Sequence, residues 1–338
     1  MLMFTLGASN MKRRQLLTAA VMSTAAIATT STWAQSGPYP NRPIKMIVPY
    51  AAGISPDVVA RLIGDKLTQA LGQPVIIDNR PGAGGMIGAE AAAAMPGDGY
   101  NLFFTVKGPM AIAPHIYPNA KYNPLKDFKA ISQILIVPHI LTATPNAPYN
   151  TMKEMVEYAK RNPGKIDYAS AGVGSQPHIA LEAWATRLGI SFNHIPYKTN
   201  PGPDVMSGVV SMYLEASTTA IPSIKAGKIK ALGISGAERI ATLPDVPTMT
   251  EFSPTLDVNG VIGNSWHGIF TPANTPDEIV NKLNAEIIKI VKMPDIQERL
   301  RGLGLTPTGT SASVLSTAMA SDYQYWGQLI RDLKIKVD

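Results

Sequence analysis

The chain has 338 residues, which at about 100–200 residues per domain predicts two domains. Apolar residues make up 45% and charged residues 16%, the balance of a folded soluble protein and not of a disordered one. The formal charge of +6 falls to +3 without the first 34 residues, which hold Lys12, Arg13 and Arg14 and no acid; with no run of five basic residues, a nucleic-acid partner is excluded.

There is no cysteine, which rules out disulfides, thiolate catalysis, cysteine zinc sites and a lipid-anchored cysteine. The five histidines show no HExxH-like spacing, so neither a metal nor a cofactor is expected.

Residues 1–34 read as an export signal. Lys12-Arg13-Arg14 precedes an apolar stretch at 16–28, and small residues lead to Thr32-Trp33-Ala34. Cleavage is expected after Ala34, placing the mature protein in the periplasm. The paired arginines leave the Sec and twin-arginine routes both open, and Met11 competes with Met1 as the start.

A buried strand is expected at 43–50. Then Ser55, Pro56 and Asp57 open a helix whose apolar positions (Val58, Val59, Leu62, Ile63, Leu67, Leu71) recur at helical spacing. Ser55 suits the N-cap, Pro56 the first turn, Asp57 the positive helix end and Gly72 the stop. A second strand at 75–78, an Ala-rich helix through Ala94 and a third strand at 102–106 complete a β-α-β-α-β unit, which predicts a parallel sheet. The same alternation returns with a helix at 151–161, a strand at 166–170, a helix at 176–188, strands at 192–197 and 210–215, a helix ending at Ala226, and a strand at 229–234. A last strand at 266–270 precedes helices near 276–291, 294–303 and 312–333. These have no sheet of their own and would pack best on the first lobe.

In open parallel sheets, ligands bind beyond the carboxyl ends of the strands. Three such ends are small or Gly-rich and run into helices: 51–55, 171–175 and 216–219. Helix N-termini offer free N–H groups and partial positive charge, so two facing loops of this kind would clamp an anion. The residues alone thus point to an exported, two-lobed anion binder. Other motifs fall short. Gly82-Ala83-Gly84-Gly85-Met86-Ile87-Gly88 misses the GxGxxG spacing, and no nucleophile elbow or phosphate-binding loop occurs. Ser175 and His178, three apart, could meet on one helical turn as a hydrolase pair; His194 reads as a hydrogen-bonded core residue.

The sequence resembles the Bug proteins, periplasmic receptors of tripartite tricarboxylate transporters, from Tyr39 to the end. The markers stand in order: Pro49-Tyr50-Ala51-Ala52-Gly53 with Asp57, Asp78-Asn79-Arg80-Pro81-Gly82-Ala83-Gly84-Gly85, Pro96-Gly97-Asp98-Gly99-Tyr100, Tyr168-Ala169-Ser170-Ala171-Gly172-Val173-Gly174-Ser175 with His178, His194-Ile195-Pro196-Tyr197-Lys198, Leu243-Pro244-Asp245-Val246-Pro247-Thr248, and Trp266-His267-Gly268. The resemblance implies an α/β, two-lobed Venus-flytrap fold of the periplasmic-binding-protein type, each lobe a mostly parallel sheet flanked by helices. Lobe 1 would comprise 35–136 plus 263–338 and lobe 2 residues 137–262, with crossings near 134–141 and 259–266. It also implies a monomer that binds a small carboxylate, catalyses nothing, and hands the ligand to membrane permease subunits of a tripartite tricarboxylate transporter. A sensor acting on a signalling partner and an exported serine hydrolase are the alternatives.

The expected ligand contacts are Tyr50, Ala51, Gly53, Ile54, Ser55 and Asp57 in the first loop; Lys107 after the third strand; Ser170, Ala171, Gly172, Gly174, Ser175 and His178 around the second; and Tyr197, Glu215, Ser217 and Thr218. These loops contain no Arg, so recognition should rest on neutral donors and backbone. Asp57 should serve the helix start, and Glu215 should orient the pocket or accept a donor. Ile54 stands where the family has a second glycine. Its β-branched side chain restricts the backbone and should supply an apolar wall suited to a flat acid.

Overall fold

The computed structural model describes residues 38–253 and 263–333. The export signal read at 1–34 lies outside these residues, as do residues 259–262 of the crossing expected at 259–266. Strand β1 (Ile44–Val48) is buried except at Lys45, as its four apolar residues require. The helix Ser55–Leu71, β2 (Val75–Asn79), the helix Met86–Ala93 and β3 (Asn101–Val106) follow in the expected order. Strand β1 lies between β2 and β3 and is parallel to both, because each connection crosses over through a helix. Gly72 ends the first long helix in the left-handed conformation, its N–H donating to the Thr68 carbonyl.

The sequence reading passed over two strands, β4 (Phe128–Val137) and β5 (His139–Ala143). Both are buried on both faces, so they lack the alternation that marks a half-exposed strand. They belong to different sheets, and Pro138 alone separates them. The chain therefore leaves the first sheet and enters the second within one residue.

In the second sheet come β6 (Asp167–Ser170), the helix Gln176–Leu188, β7 (Asn193–Pro196), β8 (Met212–Ala216), the helix Ser217–Lys225 and β9 (Lys230–Ile234). Strand β10 (Ser265–Pro272) returns to the first sheet between β3 and β4, and β11 (Thr306–Pro307) pairs with β4. The orders are β11-β4-β10-β3-β1-β2 and β7-β6-β8-β5-β9. In the first sheet β1 to β4 run one way; β10 and β11 oppose them. In the second, β6 to β9 run one way and β5 opposes them. The sheets are thus mostly parallel by direction but mixed by pairing. The opposing strands β5 and β10 are those that arrive from the other lobe.

Residues from Arg42 onward form one compact unit. The C-terminal helices Asp277–Val291 and Ala312–Asp332 pack on β4. The last one also reaches further: Trp326, Leu329 and Ile330 share one apolar cluster with Ile179, Trp184 and Leu214 of the second lobe. Among the described residues no helix is long and apolar enough to cross a membrane, and no group of three acids or histidines is placed to hold a metal.

Candidate functional site

A cavity of about 510 Å³ of atom-free space, partly open to solvent, lies between the two sheets. From the first lobe it is lined by Tyr50, Ile54, Ser55, Pro56 and Val106, from the second by Ala171, Ser175, Gln176, Pro177, Tyr213, Ala216 and Thr219. Apart from Tyr213, which lies inside β8, these sit at or just beyond the carboxyl ends of β1, β3, β6 and β8. Strands β5 and β10 run the other way, so they bring their first residues to the same place: His139, Ser265 and His267.

Three helices start at this cavity, at Ser55, Gln176 and Ser217. Their N-caps, Ile54, Ser175 and Ala216, are extended, and none makes a side-chain capping bond. The N–H groups of Ser55 and Gln176 donate to no loop carbonyl among the described residues, whereas the Ser217 N–H donates to the Pro138 carbonyl at 2.9 Å. Three uncapped helix ends thus bring their partial positive charge to one space from both lobes. No Lys or Arg lines the cavity. An anion there would be held by neutral donors and dipoles.

Ser55 was expected at the N-cap; it is the first helical residue, and Ile54 takes the cap position. Its hydroxyl is spent across the cleft on the Thr218 hydroxyl, 2.8 Å away. Ile54 lines the cavity and packs with Tyr50, Val106 and Ala171.

Asp57 does more than complement the helix end. Its carboxylate accepts from the Gly53 N–H (2.9 Å), from Asn79 Nδ2 (2.9 Å) and from Arg61 Nε (3.1 Å). Gly53 is held at φ +81°, and Asn79 donates to the Tyr50 carbonyl as well, so one carboxylate shapes the whole loop. Burial alone would raise the Asp57 carboxyl, but the bonds from Arg61, Gly53 and Asn79 outweigh it and hold it below the ordinary carboxylate range. Asp57→Ala should cost about 2 kcal/mol at pH 7, since it removes the charge-assisted bonds from Gly53, Asn79 and Arg61 that shape the loop. A depressed folded pKa stabilises above the unfolded value and loses that contribution as pH falls through the folded value. Urea unfolding should therefore find wild type and variant converging at acid pH.

The loop 171–175 is built by a stack of rings. His178 lies on His194 (4.0 Å between centroids), and His194 lies on Tyr168 (4.9 Å). Ser170 bonds the His194 ring at 2.6 Å and accepts the Gly172 N–H, and His178 Nδ1 accepts the Gly174 N–H. His194 is hydrogen-bonded as expected, but it is half-buried on edge strand β7. Burial, with His194 beside it, depresses His178 to about 3, and burial depresses His194 to about 4. His178 is thus a neutral acceptor occupied by the loop, and the Ser175 hydroxyl has no partner. The two do not form a nucleophile–base pair.

Other expected contacts are placed elsewhere. Lys107 does not line the cavity; its ammonium donates to the Asn264 carbonyl (3.0 Å) and pairs with Asp322 (3.3 Å). Ala51 and Tyr197 line a smaller neighbouring recess, where Tyr50, Ile54 and Ala171 also appear. Ser217 donates to the Gly304 carbonyl. Glu215 is buried on β8 outside the cavity wall, and burial pushes its carboxyl up to about 7 although Thr219 bonds to it. Sequence reasoning missed His139, Gln176, Tyr213, Ser265 and His267 as cavity residues. His267 lay inside a quoted motif, and His139 follows a lone proline in an apolar run; nothing local marked the others.

Residues 59–335 match the family described as tripartite tricarboxylate transporter family receptor. Protein BugT of Bordetella pertussis is 32% identical, over 88% of this chain and 91% of its own. An R. palustris protein solved with adipate is 29% identical, with TM-score 0.83 over 88% of this chain and 99% of its own. MatC from Rhodopseudomonas palustris with bound malate is 30% identical, with TM-score 0.81 over 86% of this chain and 100% of its own. A cleft between two α/β lobes, uncapped helix ends facing it, and this match over most of the sequence lead to one identification: the chain belongs to the tripartite tricarboxylate transporter receptor family, whose members bind solutes and are not enzymes.

Proposed function

We propose that the protein is an exported periplasmic receptor that captures one small carboxylate in the interlobe cleft, closes on it, and delivers it to the membrane permease of a tripartite tricarboxylate transporter. The observation that carries this reading is the convergence of three uncapped helix N-termini, from both lobes, on a cavity with no lysine or arginine in its wall. Relatives solved with adipate and malate support a carboxylate as the ligand class. The ligand holds the lobes together because it touches both, and it shifts the equilibrium only by its greater affinity for the closed form.

A thermal-shift screen across carboxylates tests this. A ligand at about a hundred times its Kd should stabilise the folded protein by about 2.7 kcal/mol, and a screen in which no carboxylate raises the Tm sinks the reading. The Ile54 wall sets the shape of the ligand. Ile54→Gly should weaken benzoate by roughly tenfold, the effect of losing about 1–2 kcal/mol of apolar contact, and weaken adipate much less. Calorimetry with the two acids on both proteins decides; equal losses for both would remove the wall from the account.

A further inference from the structure

Three polar atoms in buried cavity-lining residues have no hydrogen-bond partner: Ser175 Oγ, Gln176 Oε1 and His267 Nδ1. Buried polar groups in folded proteins are nearly always paired, so three such atoms around one cavity need a reason. They come from both lobes, two from the Gln176 helix start and one from β10.

Their chemistry is specific. Gln176 Nε2 donates to the Gly263 carbonyl at 3.0 Å, which fixes the amide with Oε1 as its free end. That oxygen can only accept. A carboxylate offers it nothing, whereas an amide N–H or a hydroxyl does. Ser175 Oγ and His267 Nδ1 can each donate to the oxygen of the same group. We propose that this part of the cavity is a subsite for a neutral amide or hydroxyl carried by the bound carboxylate, read by Gln176, Ser175 and His267, so that the receptor takes a monoacid with a neutral polar tail in preference to a diacid.

The surroundings agree. His139 and His267 are the titratable groups that β5 and β10 bring to this wall. Burial, with Lys107 near, lowers His139 to about 4; burial, with His139 near, lowers His267 to about 3. Both rings are therefore uncharged at neutral pH. Lys107 is engaged by Asp322, and the Tyr50 hydroxyl donates to the Gly84 carbonyl. Nothing in this wall carries a cation for a second carboxylate.

The proposal rests on the carboxylate reading above, and the test separates them. Succinate, adipate and isophthalate are each compared by calorimetry with their half-amides, on wild type and on Gln176→Leu. Wild type should bind the half-amides at least tenfold more tightly, because a site built to bond a donor rejects the analogue that lacks it. In Gln176→Leu that ratio should fall to within about threefold. The variant also loses the bond to Gly263, but that loss weakens both members of a pair, and the ratio is what is read. Diacids binding as well as half-amides to wild type would overturn the subsite and leave the carboxylate reading standing. An unchanged ratio in the variant would likewise overturn it. If no carboxylate of either kind binds, the carboxylate reading fails and takes the subsite with it.

Discussion

Gly84→Ala should leave the protein folded and weaken ligand capture by at least a hundredfold. Gly84 lies where the first lobe meets the loop 173–175 of the second. A Cβ there would sit 2.4 Å from the Val173 carbonyl oxygen, 2.7 Å from the Gly174 carbonyl carbon and 2.8 Å from the Ser175 nitrogen. All three are backbone atoms, which cannot swing aside as a flexible side chain can. The contact joins the two lobes, so under the proposed closure the clash would fall on the closed form. A ligand that needs closure loses the affinity that closure provides, and a hundredfold loss corresponds to about 2.7 kcal/mol. Gly84 also has φ +60°, which costs an alanine about 1 kcal/mol by itself. Gly72→Ala is the control, because Gly72 has φ +69° and open space where its Cβ would go. Calorimetry with the ligand found by screening should show Gly84→Ala crippled and Gly72→Ala near wild type. Equal affinities in the two variants would show that capture does not require this approach of the lobes. Tyr117, which donates to the Val173 carbonyl at 2.9 Å, and the Ser55–Thr218 bond close the same seam.

Glu215→Gln should stabilise the protein above pH 7 by about 3 kcal/mol. Burial raises this carboxyl from its ordinary 4.5 to about 7, with the bond to Thr219 opposing. Between those two values the folded state keeps a proton that the unfolded state has released. Stability therefore falls as pH rises from about 4.5 to 7 and levels off beyond. At about 1.4 kcal/mol per pH unit the loss reaches about 3 kcal/mol. Glutamine keeps the shape and the neutral form, so the slope should vanish. Urea unfolding of both proteins from pH 4.5 to 8 measures it, and parallel curves would mean that Glu215 ionises without penalty. Below its raised pKa the residue is uncharged, which suits a cleft built to receive an anion. It was expected to accept a hydrogen bond; in its protonated form it can also donate one.

Much of the fold was legible because its signals are local. The helix expected at about 176–188 is found at Gln176–Leu188. Gly72 marked its own helix end, since a left-handed stop favours glycine. The strand–loop–helix junctions at 51–55, 171–175 and 216–219 were visible as small residues before apolar periodicity, and all three reach the cavity. The absence of arginine from them already implied recognition by neutral groups.

What the sequence could not show depends on partners far apart along the chain. Ser55 looked like a capping residue, but its hydroxyl meets Thr218, 163 positions away. Lys107 looked like a free charge after a strand, yet Asp322 on the last helix neutralises it. His139 and His267 lie far apart along the chain, and they line one cavity only because β5 and β10 enter opposite sheets at the same cleft. Periodicity and capping are set by neighbours within a few residues, so the sequence by itself determined most of the elements, though not the doubly buried β4 and β5, together with the lobes' α/β character and the small-residue helix starts at the cleft. Which side chains share the buried wall is set by packing across sheets, where a lone polar atom's environment comes from distant segments, and only the tertiary structure decided it.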